Sequence, residues 1–199
     1  MSLKKDINFD NQFSFRGTSL DGGALGIGFT QEINLPVTPN VRMGVGLGVN
    51  CDLPYFSLQT NVREGGLIAK EGRSPRASLF ARSILAYAVH HDTSLVAILD
   101  LGASFLGRGT SIFSAEGPLL RNVGLEASWS PFAQALVGVR TYLYGDFIGI
   151  SVEAGAQGLL QPEKGGGFHD DLGWVVQTGF LVRWWIPGES EEASKPRDW

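Results

Sequence analysis

An alternation of period two over residues 41–50 constrains the fold of this chain more than any other feature. The segment reads V-R-M-G-V-G-L-G-V-N, with an apolar residue at every odd position and glycine or a polar residue at every even one. A β-strand has this period, because its successive side chains point to opposite faces. Glycines inside a strand cost backbone entropy and offer no packing surface. The two faces of this strand must therefore meet different surroundings.

The same alternation recurs in further segments that are separated by turn residues, and no segment of useful length shows a helical period. The segments that we predict to be strands are 6–16, 24–34, 41–50, 55–63, 76–89, 93–106, 119–129, 132–143, 147–160 and 172–186. Because consecutive strands joined by turns form a meander, we predict an all-β fold, a single up-and-down antiparallel β-barrel of about 8–10 strands.

The alternating pattern divides the chain into three regions, a central barrel and a short segment on either side of it. Residues 1–5 are interpreted as the N-terminal leader of the mature chain, residues 6–186 as the barrel and residues 187–199 as a polar, disordered tail. No apolar run follows the two lysines near the N-terminus, so a signal peptide is absent from this chain. No basic patch supports nucleic-acid binding. A single cysteine, Cys51, excludes an intrachain disulfide and a cysteine-based zinc site.

The strand lengths and the composition of the polar face indicate which face meets which surroundings. The predicted strands reach the roughly 9–11 residues that a tilted strand needs to cross a membrane. The polar face is rich in glycine, serine and amides, and the five lysines (Lys4, Lys5, Lys70, Lys164 and Lys195) all lie outside the predicted strands. A water-facing strand usually carries lysine, partly to protect sheet edges. We therefore expect a transmembrane barrel with an apolar exterior that faces lipid and a polar interior.

Charged residues of both signs share the predicted interior face in nearly equal number. A buried charge without a partner costs several kcal/mol, so we expect ion pairs, in which the planar guanidinium of arginine matches a carboxylate. The residues of this interior charge network are Arg16, Arg42, Arg63, Arg82, Arg140, Arg183, Asp10, Glu32, Asp100, Glu126 and Glu153.

Large aromatic residues fall toward the strand ends on the apolar face. Membrane barrels carry such aromatic girdles at both membrane–water interfaces. The residues predicted to form the girdles are Phe9, Tyr87, Phe105, Trp129, Trp174 and Trp184. Ordinary packing of aromatic residues in a soluble core is the alternative interpretation.

With these features, residues 6–186 resemble the small outer-membrane β-barrels of Gram-negative bacteria. The last predicted strand, with Gly179, Phe180, Val182 and an aromatic end, is similar to the terminal strand that such proteins present to their assembly machinery. The thirteen residues after Ile186 depart from the family pattern. The resemblance implies an outer-membrane location and membrane lipid as a partner, with the oligomeric state open. The longer predicted connections fall on both sides of a ten-stranded meander, whereas the family keeps long loops on one side.

Two histidine-containing clusters are the densest groups of titratable residues. His90-His91-Asp92 and His169-Asp170-Asp171 are both interpreted as polar turns or loops. Adjacent strand residues point to opposite faces, so His90 and His91 are not expected to join one site. We predict no catalytic residue, no metal site and no cofactor, and enzyme activity is the less favoured interpretation.

The sequence leaves several functions open. The favoured one is an integral outer-membrane barrel with a structural or binding role, in which paired interior charges close the lumen. The first alternative is a narrow, porin-like passive pore for ions or small polar solutes, because the interior glycines leave room. The others are a barrel enzyme that uses loop histidines, and a soluble β-barrel carrier of an apolar ligand with the two faces inverted.

Overall fold

A computed structural model describes an all-β chain. The residues whose backbone it describes are 7–19, 24–54, 59–63, 66–70, 76–106, 111–114, 117–122, 128–143, 147–162 and 168–186. The predicted leader, residues 1–5, and the predicted tail, residues 187–199, lie outside them. Among the described residues, no helix is long and apolar enough to cross a membrane.

The described residues form twelve strands. They are β1 (Ile7–Thr18), β2 (Ala24–Thr38), β3 (Val41–Pro54), β4 (Gln59–Arg63), β5 (Gly66–Lys70), β6 (Arg76–Ala88), β7 (Thr93–Leu106), β8 (Ser111–Ser114), β9 (Gly117–Asn122), β10 (Ser128–Leu143), β11 (Ile148–Pro162) and β12 (Phe168–Ile186). Eight of them close an antiparallel barrel in the order β1-β2-β3-β6-β7-β10-β11-β12, with β12 paired back to β1. The predicted up-and-down barrel is therefore confirmed, with eight strands.

Two of the ten predicted segments do not form barrel strands of their own, although residues 128–129 of the second one begin β10. In the segment predicted over 55–63, β4 pairs with β5, and in the segment predicted over 119–129, β9 pairs with β8. These four strands form a separate sheet in the order β4-β5-β8-β9. Counting each segment as a separate barrel strand was wrong, because alternation reports strand character but not which strand is the partner.

The pairing register fixes how far the strands tilt. A path that moves from each residue to its partner on the next strand leaves Asn8 on β1 and returns to β1 at Thr18, ten residues further along. The path runs through Asn8, Asn34, Gly44, Ile84, Ile98, Leu136, Gly155, Val175 and Thr18. This stagger goes with strands inclined about 35–45° to the barrel axis, and eight strands enclose a space that side chains fill.

The connections differ in length between the two ends of the barrel. The connections after β2, β6 and β10 are the short ones, of residues 39–40, 89–92 and 144–147, and we name their side the short-turn end. The first residue of β1 and the last residue of β12 lie at the same end. The connections after β3 and β7 span 55–75 and 107–127 at the opposite, long-loop end. With eight strands, all long loops therefore lie on one side, and the ten-strand count was what placed them on both.

The apolar face of the strands points outward. Large apolar side chains such as Leu47 and Val137 are each 66% exposed, and among the described side chains no outward-facing strand residue is charged. Inward-facing residues include buried arginine, aspartate, glutamate and glutamine. The soluble carrier of an apolar ligand required the opposite orientation, so the structure contradicts that alternative.

Candidate functional site

The barrel interior brings together eight of the eleven charged residues predicted to lie there. Arg16, Arg82, Arg140, Arg183, Asp10, Glu32, Asp100 and Glu153 all point inward and form ion pairs with one another or with further interior residues. Arg42 is half-buried near the start of β3. Arg63 lies on β4, which pairs in the separate sheet and not in the barrel wall, and its side chain is outside the described residues. Glu126 is also outside them.

Two arginines and three carboxylates form a central layer across the barrel. Arg82 donates two hydrogen bonds to Asp100, from Nε at 2.8 Å and from Nη2 at 2.9 Å. Arg140 donates to Glu32 from Nη1 at 2.6 Å and to Glu153 from Nε at 3.0 Å. Glu32 also accepts from Arg82 Nη1 at 3.1 Å, which joins the two arginines. The five side chains come from five strands, so the layer connects much of the barrel wall.

Gln12, which is fully buried, lies at the middle of this layer and was missed in the sequence. Its carbonyl oxygen accepts hydrogen bonds from Arg82 at 3.0 Å and from Arg140 at 3.1 Å. Its amide nitrogen donates to Glu153 at 3.2 Å. A carboxamide can both donate and accept, so it satisfies cation and anion at once. Its inward position could have been read from the strand parity of Asp10 and Arg16.

A second group of polar residues occupies the short-turn end. Arg183 donates to both carboxylate oxygens of Asp10, at 2.7 and 2.9 Å. The Tyr142 hydroxyl and the Asn34 amide each donate to Asp10 at 3.0 Å. The Arg183 guanidinium also lies over the Tyr142 ring, 3.6 Å from its centroid. The Asp10 carboxylate is thus surrounded by donors and carries no unmatched charge.

A third group lies toward the long-loop end and is centred on Asp52, which the sequence analysis left between two predicted strands. Asp52 accepts hydrogen bonds from Arg76 at 3.2 and 2.7 Å and lies 3.1 Å from Arg16 Nε. Arg16 also donates to Gln134 at 3.0 Å and to Gln157 at 2.6 Å. Asp52 keeps the parity of the inward residues of β3, which was the signal that could have found it.

The interior glycines make room that neighbouring side chains fill. A Cβ on Gly48 would overlap the Phe80 ring, and one on Gly44 would lie 2.6 Å from Ile84 Cγ2. A Cβ on Gly138 would lie 2.7 Å from Cγ of Glu153. Each of these glycines is paired in the register with the large side chain on the neighbouring strand, so the glycine leaves that side chain the space to lie over it. The pore alternative assumed that the interior glycines leave free space in the lumen. At these positions neighbouring side chains occupy that space.

The interior is not polar throughout, contrary to the sequence-based expectation. Ile84, Val96, Ile98, Leu136 and Val175 form one buried apolar cluster, and Phe80, Phe132 and Leu159 form another. These residues belong to the same alternating set as the charges. Apolar side chains thus share the interior with the ion pairs, and the Phe80 ring centroid lies 5.5 Å from Cζ of Arg82.

The six predicted girdle aromatics all point outward and divide between the two ends. Phe9, Tyr87 and Trp184 lie near the short-turn end, where Phe9 is paired with Trp184 in the register. Phe105 and Trp129 lie near the long-loop end with ring centroids 5.2 Å apart. Trp174 lies on β12 beside Ser19, the residue that follows β1 at the same end. Trp129 and Trp174 are 63% and 59% exposed, unlike aromatics of a soluble core.

The His90-His91-Asp92 cluster lies in the turn between β6 and β7, which confirms its interpretation as a polar turn. The expectation that the two histidines point to opposite faces was therefore wrong, because a turn does not keep strand alternation. One possible ligand atom from each of the three side chains lies within 4.8 Å of the other two. The His169-Asp170-Asp171 cluster belongs to β12, but its side chains are outside the described ones.

Comparisons with known proteins describe the fold class. No protein-family model matches the chain. No curated protein matches it either. Among solved structures, neisserial surface protein A is 13% identical with a TM-score of 0.48, covering 88% of this chain and 96% of that one. The N-terminal β-barrel domain of OprF from Pseudomonas aeruginosa is 7% identical with a TM-score of 0.49, covering 89% and 97%.

The attachment invasion locus protein of Yersinia pestis is 11% identical with a TM-score of 0.47, covering 92% of this chain and 100% of that one. The closed eight-stranded barrel of this chain confirms, at the level of fold class, the resemblance to small outer-membrane barrels. At such low identity the likeness concerns the fold alone, and what the barrel does depends on its own residues.

Proposed function

We propose that this chain is an integral outer-membrane barrel with a closed lumen and a structural or binding role. The observation that carries the proposal is that the apolar faces of the strands point outward and the charged residues point inward, which is the reverse of a soluble barrel. The described exterior has no charged strand residue, whereas fully buried ion pairs lie inside. So large an apolar surface would drive association in water, but it matches the hydrocarbon of a bilayer.

The two ends of the barrel support the membrane orientation. Bacterial outer-membrane barrels keep short turns on the periplasmic side and longer loops outside. The short turns of this chain share one end with the outer ends of β1 and β12, and the aromatic residues form two groups, one near each end. We therefore assign the short-turn end to the periplasm and the long-loop end to the exterior.

Solubility and gel mobility test the membrane part of the proposal. The overexpressed chain should require detergent or lipid for solubility. Its folded form should migrate differently on a denaturing gel before and after boiling, because a closed barrel resists the detergent until it is heated. A chain that stays monomeric in plain buffer would contradict the proposal.

The central layer supports a closed lumen. Arg82, Arg140 and their carboxylate partners span the interior with hydrogen bonds, and Gln12 fills the gap between them. An ion that passed would have to break several charge-assisted bonds at once, which are stronger than neutral ones. We infer that the chain does not act as an open passive pore.

Planar-bilayer recording tests closure and separates it from the pore alternative. The wild-type barrel should show no discrete conductance steps. The double variant Arg140→Ala, Glu153→Ala removes two members of the layer and should introduce conductance. The outward-facing double variant Val137→Ala, Val152→Ala on the same two strands is the matched control and should stay silent. Discrete wild-type steps would favour the pore.

The separate sheet at the long-loop end has two strand edges that are unpaired among the described residues. Its order leaves β4 and β9 as the two edge strands. Edge strands expose unpaired backbone groups that can pair with an added strand from a partner. We propose that any binding role of the protein uses this sheet. Loss of partner capture when the sheet is removed, with the barrel intact, would test this assignment.

A further inference from the structure

A cluster of two histidines and an aspartate lies at the short-turn end, in the turn between β6 and β7. His90, His91 and Asp92 each offer a ligand atom, and these atoms all lie within 4.8 Å of one another. Both histidines are exposed and Asp92 is half-buried. We propose that this turn binds a divalent transition-metal ion, of the zinc and copper kind, through Nε2 of His90 and Nδ1 of His91.

The spacing of the two nitrogens carries the proposal. His90 Nε2 and His91 Nδ1 are 3.2 Å apart, and the ring centroids are 3.9 Å apart. Two nitrogens that bind one tetrahedral zinc ion at about 2.0–2.1 Å lie about 3.3 Å from each other. The two imidazoles therefore already stand at the separation that a shared ion requires.

Asp92 fixes the orientation of His91. The Nε2 atom of His91 lies 2.6 Å from Oδ2 of Asp92. A histidine that binds a metal almost always donates its other ring N–H to a carboxylate, a carbonyl or water, which sets the tautomer. With Nε2 donating to Asp92, the lone pair of His91 lies on Nδ1 and points toward His90. His90 needs only its Nδ1–H tautomer to direct a second lone pair into the same gap.

The backbone of the turn is held in place before any ion binds. The amides of Val89 and His90 donate to the Thr93 carbonyl at 3.0 and 3.1 Å. The Asp92 carbonyl accepts from the Tyr142 amide of β10 at 2.7 Å. A turn tied to its own strand pair and to a neighbouring strand loses little further freedom on binding.

The donor set selects the class of ion. Imidazole nitrogen suits zinc, copper and nickel, whereas calcium and magnesium prefer shells of oxygen ligands. Two nitrogens and a neighbouring carboxylate leave coordination positions for water. We therefore expect binding of Zn²⁺ and Cu²⁺ and none of Ca²⁺ or Mg²⁺ at this turn.

Calorimetric titration of the full chain in detergent with Zn²⁺ tests the site. We expect saturable binding of one ion per chain. His90→Ala and His91→Ala should each weaken binding at least tenfold, and Asp92→Asn by roughly 10–100-fold through loss of the orienting bond. His169→Ala removes the third histidine of the chain and should leave binding unchanged. Heat-dependent gel mobility confirms that each variant folds.

Electron paramagnetic resonance with Cu²⁺ provides a readout that depends on the ligands themselves. The wild-type spectrum should show two nitrogen donors, and the His90→Ala spectrum one. No saturable Zn²⁺ binding by the wild-type chain would overturn the proposal. Binding that survives in His90→Ala and His91→Ala, or that disappears in His169→Ala, would overturn it as well.

Discussion

Arg82 shows what a charge needs in order to remain inside this barrel. Its guanidinium donates to Asp100, Glu32 and the Gln12 carbonyl. The layer to which it belongs has two arginines and three carboxylates, so each arginine compensates more than one negative charge. Removing one partner of a buried ion pair lowers the free energy of unfolding by far more than the intact pair adds to it, because the other charge is left buried without compensation.

We predict that Arg82→Ala lowers the free energy of unfolding by about 3–5 kcal/mol, because Asp100 and Glu32 lose a shared cation inside the barrel. Asp100→Asn should cost less, since the amide oxygen still accepts from Arg82 and one excess negative charge disappears. Urea unfolding in micelles, followed by tryptophan fluorescence, measures both. The outward Ser83→Ala on the same strand is the control. Equal costs for Arg82→Ala and Ser83→Ala would contradict the network.

A pair of glycines tests whether the interior is filled. We predict that Gly48→Ala destabilises the barrel by about 1–3 kcal/mol, because the new Cβ would overlap the Phe80 ring. Gly17→Ala on β1 meets its nearest neighbouring atom only at 3.9 Å and should be neutral or slightly stabilising. The same unfolding assay compares them. A neutral Gly48→Ala would mean that the lumen has free space there.

Single residues also show how much of the interior charge network can be predicted from the sequence. Strand parity alone placed Arg82, Arg140 and Glu32 inside. Parity continued past residue 50 also places Asp52 inside, but a residue at a strand end looks like a turn residue until its partner, here Arg76, is known. Parity could not predict which carboxylate each arginine contacts, since Arg140 and Glu32 are 108 residues apart in the chain.

At the scale of the element, two residues of β3 test whether the outer face of the barrel contacts lipid. Leu47 lies in the middle of the strand and Leu53 near its long-loop end, and they are 66% and 60% exposed. We predict that Leu47→Arg costs about 2–4 kcal/mol in lipid and Leu53→Arg about 0–1 kcal/mol, because the cost of a charge depends on its depth in the bilayer. Unfolding in lipid vesicles measures both. Similar small costs would indicate a water-exposed surface.

The sheet of β4, β5, β8 and β9 is a separate element that the barrel does not need for closure. We predict that replacing residues 56–74 and 108–126 by short turns leaves heat-dependent mobility intact, because all eight barrel strands keep their neighbours. Deleting β10 and β11, which each pair with two barrel strands, should abolish it. Loss of the shift in the loop variant would show that the sheet supports the barrel.

The strands show which part of the fold could be predicted from the sequence and which part could not. Segments 24–34 and 147–160 were located because alternation persists over a membrane-spanning length. Segment 55–63 shows the same alternation, yet β4 pairs back on β5 across two residues. Pairing is a long-range property, and a pattern within one segment does not contain it.

For the whole molecule, an even number of strands places the outer ends of β1 and β12 on one side, together with the short turns. If the chain is secreted to an outer membrane, that side faces the periplasm. We predict that an epitope tag inserted within residues 71–75 binds antibody on intact cells. A tag placed after residue 199 should bind only after the outer membrane is permeabilised, which also controls for expression. Surface labelling of the C-terminal tag on intact cells would reverse the orientation, and labelling of neither tag after permeabilisation would show that the barrel had not been assembled.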